Sequence, residues 1–349
     1  MKYCIFNGHL CFRERIFLSF ISKKTIYLEN IRDRSQQKGL RNYELDLFSL
    51  IDKIFYDCSV QINEIGTKIK FIPGSLKDGN FFHNTIGTRA LSYYLEFLAY
   101  LIPSINKRIN IKIVGLRSLK SDISLETFAY VNLTLLRKIG RSDVRMRIIT
   151  NLISNTKNTE VILFSSKMSL SVPFQFNKRG SILALQIIFT TSSDSVLTYE
   201  DLSSILPKSL MNCELNFKIH NFKVYNTKIT FKTITLIAET STGCILSTDS
   251  TLTKKNVKFT QWLDFYRDIF SEFLEQLISG NCVDGVTQVS LLINFLNEKS
   301  KKTIEVKVKN LTLSSIQFLR EVKLILGPVF GIKFLKDSKK IVIQKKTLF

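Results

Sequence analysis

Residues 303–344 read TIEVKVKNLTLSSIQFLREVKLILGPVFGIKFLKDSKKIVIQ. Thr303 to Lys309 alternates apolar with charged side chains, the period of a half-buried strand. Ser314 to Leu326 spaces its apolar residues as a helix does, and Phe330 to Leu335 and Lys340 to Gln344 read as two more strands. Just upstream, Val286 to Asn297 is apolar at helical spacing. The unit is therefore helix, strand, helix, strand, strand.

That order occurs twice more, nearer the N-terminus. Phe12 to Phe20 reads as a helix and Thr25 to Ile31 as a strand. Tyr43 to Cys58 reads as a helix carrying Leu47, Leu50, Ile51, Ile54 and Phe55, and strands follow at Val60 to Ile65 and Lys68 to Ile72. The second copy predicts a helix over Ile86 to Ile102, a strand over Ile109 to Gly115, a helix over Ile123 to Ile139, and strands over Val144 to Thr150 and Glu160 to Ser165. The first inner strands start near positions 25, 109 and 303, so the second spacing is longer than the first by 110 residues. An insertion of about domain size must lie between the second and third units.

The inserted stretch changes texture at Asn177-Lys178-Arg179-Gly180 and stays rich in Ser and Thr to Leu252. Strands are expected at Ile182 to Thr190, Glu214 to Asn221 and Thr230 to Glu239, with one helix near Glu200 to Leu206. A helix over Gln261 to Ile278 is expected to lead back into the third unit. Its Phe265, Ile269, Phe270, Phe273, Leu274 and Leu277 would face the main core, and Asp264, Asp268, Glu272 and Glu275 would face solvent. The fold class expected is mixed α/β (α+β). A large three-unit domain would comprise residues 1–178 and 258–349, with a smaller α/β domain, residues 179–257, inserted before the third unit.

With 349 residues and 45% hydrophobic content, the chain can build a sizeable core, which excludes disorder as its main state. Its longest apolar run, Leu91 to Pro103, is broken by Glu96 and is shorter than the roughly 20 residues that cross a bilayer. No membrane association is expected. Arg13, Glu14 and Arg15 interrupt the place where a secretory signal needs an apolar core. Six cysteines without a C-x-x-C pair suggest reduced thiols in an intracellular protein, and no metal site.

Charge is the strongest compositional signal: 50 Lys and Arg against 29 Asp and Glu give +21. Such a balance points to a polyanionic partner. The richness in Lys, Ile, Asn and Phe offers a plainer source, the codon bias of an A/T-rich genome. The excess is nevertheless uneven, with 13 basic residues against three acids between Lys299 and Lys346. Lys299, Lys301 and Lys302 open that segment and are candidate contacts for RNA or an acidic partner.

Several segments stand in a recognisable order. They are Gly39-Leu40-Arg41-Asn42-Tyr43-Glu44, Pro73-Gly74-Ser75-Leu76, Ile86-Gly87 through Tyr93-Tyr94-Leu95-Glu96, Ala238-Glu239-Thr240 with Gly243 and Ser247, Cys282-Val283-Asp284 with Gln288, and Phe318-Leu319-Arg320. By these segments together the chain resembles the RNA 3′-terminal phosphate cyclase superfamily, and within it the cyclase-like branch of eukaryotic ribosome assembly. The resemblance implies a nucleolar factor of the small-subunit processome, partnered by a ribosome-biogenesis GTPase and pre-ribosomal RNA and serving early cleavages on the way to the 40S subunit. Neither a cofactor nor a small-molecule substrate is expected.

The cyclases of the family adenylate an RNA 3′-phosphate through a histidine, and the corresponding stretch here, Val283-Asp284-Gly285-Val286-Thr287-Gln288, has none. No other side chain in it can form the phosphoramidate. Adjacent glycines, which let backbone N–H groups approach phosphate, are also missing, both from Ile153 to Thr159 and from Phe6 to Cys11. Cyclase activity is therefore not expected, and the reading leans away from an enzyme.

Arg320-Glu321-Val322-Lys323 remains. Helical spacing puts Arg320 and Lys323 on one side, and the resemblance attaches to this patch the idea of an RNA-cleaving site with Glu321 as base. A contact patch is the more economical reading, because two cations beside one acid lower its pKa. The alternative to the assembly factor is thus an RNA-processing enzyme, an endonuclease or a residual cyclase. Asp57-Cys58 with His83-Asn84, and Glu200 with Asp201, carry weaker catalytic readings.

Overall fold

The computed structural model describes residues 3–104, 107–138, 140, 143–149, 158–166, 176–192, 216–225, 230–253, 259–297, 305–335 and 340–345. The chain is a mixed α/β protein. The first sheet is built by β1 (Tyr3–Asn7), β2 (Thr25–Glu29), β4 (Ser59–Ile62) and β5 (Ile69–Ile72) in the order β1-β2-β5-β4. Helices α1 (Phe12–Ser22) and α2 (Asn42–Ile54) accompany it, and β3 (Phe55–Tyr56) pairs with β6 (Ser75–Leu76) beside it. The second sheet runs β7-β8-β10-β9, from β7 (Gly79–Asn84), β8 (Ile109–Gly115), β9 (Arg145–Ile149) and β10 (Thr159–Ser165), with α3 (Leu91–Leu101). In the third, β15 (Glu305–Val308), β17 (Lys340–Lys345) and β16 (Phe330–Leu335) lie in the order β15-β17-β16. Its helices are α7 (Gln288–Asn297) and α8 (Leu313–Leu326).

Strand polarity follows one pattern in these sheets. β1 is parallel to β2 and β7 is parallel to β8, while Phe176 makes a parallel bridge to Val306 of β15. The last strand of each set, β5, β10 or β17, is antiparallel to the first inner strand. Thr25, Ile109 and Glu305 thus open strands that occupy the same place in their sheets. The leading strands β1 and β7 are not among the sequence expectations. Each is a sheet edge, and β1 is a short exposed/buried alternation that hydrophobic runs do not flag.

Several boundaries differ for local reasons. Helix α2 stops at Ile54 rather than Cys58, because Phe55 and Tyr56 pair with β6 and Asp57 turns into the left-handed region at φ 54°. The helix expected from Ile86 starts at Leu91. Asp122 accepts the Ala90 N–H at 2.8 Å and pairs with Arg89, and Ala90 bridges to Leu116, so Ala90 is held extended at the helix start, after a bend in which Gly87 takes φ 76°. The helix expected over Ile123 to Ile139 is α4 (Leu125–Thr127) and α5 (Leu133–Lys138), joined by a π-helical Phe128–Asn132 and capped by Ser124.

The fourth sheet runs β12-β11-β13-β14, from β11 (Ile182–Thr191), β12 (Asn216–Lys223), β13 (Lys232–Thr240) and β14 (Ile245–Leu252). Strand β14 escapes sequence reading because the side chains it buries include Ser247, Thr248 and Thr251. Each finds a partner, Ser247 in Asp284, Thr248 in Gln276, and Thr251 in Thr233 at 2.9 Å. The helix expected near Glu200 to Leu206 lies outside the described residues.

Helix α6 (Phe259–Ser279) corrects the expected packing. It does not face the main core; Trp262, Tyr266, Ile269, Phe270, Phe273 and Leu277 pack on Leu185, Ile187, Phe189, Ile234 and Leu236 of the inserted sheet. The sheet's other face sends Ile188, Ile237 and Ile245 into the main core. Periodicity identifies a buried stripe but not the surface that covers it. Asp264, Asp268, Glu272 and Glu275 are exposed, as expected.

Candidate functional site

The patch read from the sequence is divided by the fold. Arg320 and Lys323 are exposed on α8, with Phe318, Val322 and Ile325 buried beneath them. Glu321 does not sit with them: it is 2% exposed and forms an ion pair with the equally buried Arg15 of α1 at 2.7 Å. Gln317 donates to the same carboxylate oxygen at 2.8 Å. Burial holds the Glu321 carboxyl above its ordinary range, with Arg15 pulling the other way. This corrects the expected lowering by Arg320 and Lys323, which lie on the other side of the helix. A base shielded from solvent and locked by Arg15 is not placed to act on RNA. Lys299, Lys301 and Lys302, the other candidate contacts, lie outside the described residues.

A cleft of about 380 Å³ opens instead where the N-terminal loop, α1, α2, α3 and the start of α8 converge. His9, Arg13, Arg32, Tyr43, Arg89 and Tyr93 line it. The guanidiniums of Arg13 and Arg89 lie 4.5 and 4.4 Å from the Tyr93 ring, and Tyr43 meets Tyr93 edge-on. Tyr93 itself is buried, and the planar guanidiniums above it could stack on a nucleobase or hold phosphate oxygens. Each arginine is, however, already paired within the protein: Arg13 with Glu96 and Arg32 with Glu44, both at 2.7 Å, and Arg89 with Asp122. Glu96 itself is pushed up by burial, opposed by Arg13. The cleft is therefore much less cationic than its arginine count suggests.

His9 is the histidine that sequence reasoning passed over. It follows Gly8, whose φ is 74°, in the loop after β1. Burial and then Arg32 lower its pKa from the ordinary imidazole value. Cys11 beside it is pushed up to about 12 by burial and Glu14, which leaves it a poor nucleophile.

Most segments that carried the resemblance are joints between elements. Asp284 is 1% exposed and accepts the Ser247 N–H and O–H, both at 2.9 Å, and the Thr287 N–H and O–H at 2.7 and 2.8 Å. It ties β14 to the turn before α7. Gln288 accepts from the Thr312 N–H and the Ser315 hydroxyl and donates to the Asn310 carbonyl. Asp46 of α2 accepts the Tyr94 hydroxyl at 2.6 Å and lies 3.4 Å from His83. His83 is thus engaged by Asp46, and burial pushes the Cys58 thiol up to about 11, which leaves it a poor nucleophile for the Cys/His pairing. Glu200 and Asp201, like Ile153 to Lys157, lie outside the described residues.

Comparison with known proteins bears on this geometry. The family model for RNA 3′-terminal phosphate cyclase matches residues 4–332. The chain is 27% identical over 346 residues to an RNA 3′-terminal phosphate cyclase-like protein of Arabidopsis thaliana, covering 94% of this chain and 92% of that one. It is 25% identical over 328 residues to the human RNA 3′-terminal phosphate cyclase-like protein, covering 92% and 87%. An rRNA processing protein of Schizosaccharomyces pombe is 22% identical over 343 residues, covering 96% and 93%.

Proposed function

The chain belongs to the RNA 3′-terminal phosphate cyclase family, and from that premise we propose that it is a non-catalytic factor in the processing of ribosomal RNA. The observation that carries this reading is the turn at residues 283–288. Where the cyclases need a nucleophilic histidine, this chain has a buried Asp284 whose two oxygens take four hydrogen bonds from Ser247 and Thr287. An anchor of that kind ties β14 to the turn before α7 and offers no imidazole nitrogen for adenylation. The finer reading places the protein in the nucleolus, in the small-subunit processome, beside a ribosome-biogenesis GTPase and pre-ribosomal RNA, during maturation of the 40S subunit. The names of its rRNA-processing relatives support the role in ribosomal RNA processing, and the basic C-terminal segment suits an RNA partner; the finer reading rests on the family resemblance. Depletion in cells should accumulate uncleaved pre-ribosomal RNA, and tagged protein should recover that RNA together with a GTPase. Normal precursor levels after depletion would refute the reading.

One observation favours RNA cleavage as a second reading: His9, whose pKa burial lowers, lines the same cleft as Arg13 and Arg32. Site-specific cutting of a pre-ribosomal RNA fragment by purified protein, lost in His9→Ala with binding retained, would replace the first reading with this one.

A further inference from the structure

Strand β12 is the outer strand of the inserted sheet and, among the described residues, pairs with β11 alone. Its sequence, Asn216-Phe217-Lys218-Ile219-His220-Asn221-Phe222-Lys223, carries no acid, and Val224 and Tyr225 follow. Phe222 is 43% exposed and Tyr225 51%. One bare apolar side chain on a surface needs no explanation. Here, however, rings and cations are interleaved along a single strand.

The register shows why the rings are bare. Directly opposed residues share a sheet face, and Ile188 and Thr190 of β11 stand opposite His220 and Phe222. Ile188 is buried in the main core, and Thr190 donates to Glu126 at 3.0 Å, so the main domain covers this face at β11. β12 carries the same face one strand further out. There the His220 and Phe222 rings lie nearly parallel, 10° apart in plane and 6.2 Å between centroids. Lys218 is exposed on the same face. Just past the strand, the Lys223 ammonium stands 4.9 Å over the Tyr225 ring. Glu239, the acid of that face on β13, is two strands in and accepts from Gln186 at 3.3 Å.

We propose that this face of β12, with Tyr225 at its end, is a stacking platform for single-stranded RNA. Successive unpaired bases would lie on Phe222, His220 and Tyr225, with their phosphates along Lys218 and Lys223. Unpaired bases offer the ring faces that such a strand can meet, whereas an A-form duplex keeps them stacked inside. Charge points to a polyanion: from Lys208 to Lys232 there are five lysines against Glu214 alone. The rings choose RNA over an acidic peptide, because carboxylates would use only the lysines and bases with phosphates use both. The platform shares no residue with the cleft or with the exposed cations of α8. It rests on the reading that RNA is this protein's partner.

The test uses the full chain and a fluorescein-labelled 12-nucleotide oligouridine, with a second copy of the probe carrying 4-thiouridine. The expected result is salt-sensitive binding by fluorescence anisotropy, with photo-cross-links that mass spectrometry places within residues 218–225. Phe222→Ala with Tyr225→Ala should weaken binding by about tenfold or more and leave its salt dependence unchanged. Lys218→Ala should instead flatten the slope of log affinity against log salt by about 0.7. Cross-linking of the unaltered chain keeps the test decisive if a variant folds poorly. Cross-links confined to other segments would overturn the platform and leave the role in ribosomal RNA processing standing, since that role is tested by precursor levels after depletion. Equal affinity for a 12-base-pair RNA duplex, or no binding, would also overturn it. So would displacement of the probe by a 12-residue polyglutamate as effectively as by unlabelled oligouridine, which would make the occupant an acidic protein segment.

Discussion

Arg15 and Glu321 are separated by 306 residues in the chain and by 2.7 Å in the fold, both almost wholly buried. Arg15 also donates to the carbonyls of Gly8 and Asn7, at 2.7 and 3.0 Å, so one guanidinium fastens α8 to the loop that enters the cleft.

Removing one partner of this pair should cost stability and leave surface chemistry alone. Glu321→Ala and Arg15→Ala should each destabilise the protein by about 3–5 kcal/mol, since each strands a buried charge. Glu321→Gln should destabilise it too, by less, since the amide keeps an oxygen toward Arg15. Urea denaturation reads the loss; variants as stable as the parent would show that the pair does not hold the units together.

The exposed cations of α8 should behave in the opposite way. Arg320→Ala and Lys323→Ala should change stability by no more than about 0.5 kcal/mol. If they contact RNA, each should flatten the slope of log affinity against log salt by about 0.7 on single-stranded RNA. An unchanged slope in titrations at several salt concentrations would remove them from the interface.

Stability should depend on pH through Asp249 of β14. Its carboxylate accepts the Ser124 N–H at the start of α4, near the Arg117–Glu126 pair, and burial raises its pKa to about 6. Its ordinary value is 3.8, so the folded protein binds the proton more tightly than the unfolded chain. This contribution is full below about pH 4 and is lost as pH rises through about 6, a change on the order of 2–3 kcal/mol. Asp249→Asn should flatten the melting temperature over that window. A slope that persists would assign the effect to other groups.

Gly39 should resist replacement. Its φ is +77°, and an added Cβ would lie 2.2 Å from the Ile65 carbonyl oxygen, a backbone atom with little room to move. Gly39→Ala should cost about 1–3 kcal/mol through strain and displacement of the strand hairpin. Thermal denaturation checks it, and an undiminished midpoint would mean that the hairpin relaxes freely.

The sequence by itself determined the order of most helices and inner strands, and the missing histidine. Phe330–Leu335 is a strand with the bounds its alternation predicts, α8 begins one residue before its expected start, and the acids of α6 face solvent. These are local properties, because side-chain periodicity follows from backbone geometry within a few residues. The lack of a histidine between Val283 and Gln288 is likewise plain in the letters. Tertiary structure alone decided what each face meets. The apolar stripe of α6 is the same whether it covers the main core or the inserted sheet, and only packing chose the sheet. Arg320, Glu321 and Lys323 read as one patch until the fold turned Glu321 inward to Arg15 and left the two cations outside. An ion pair between distant segments leaves no spacing to read, since its energy comes from burial and partners that exist only after the chain has folded.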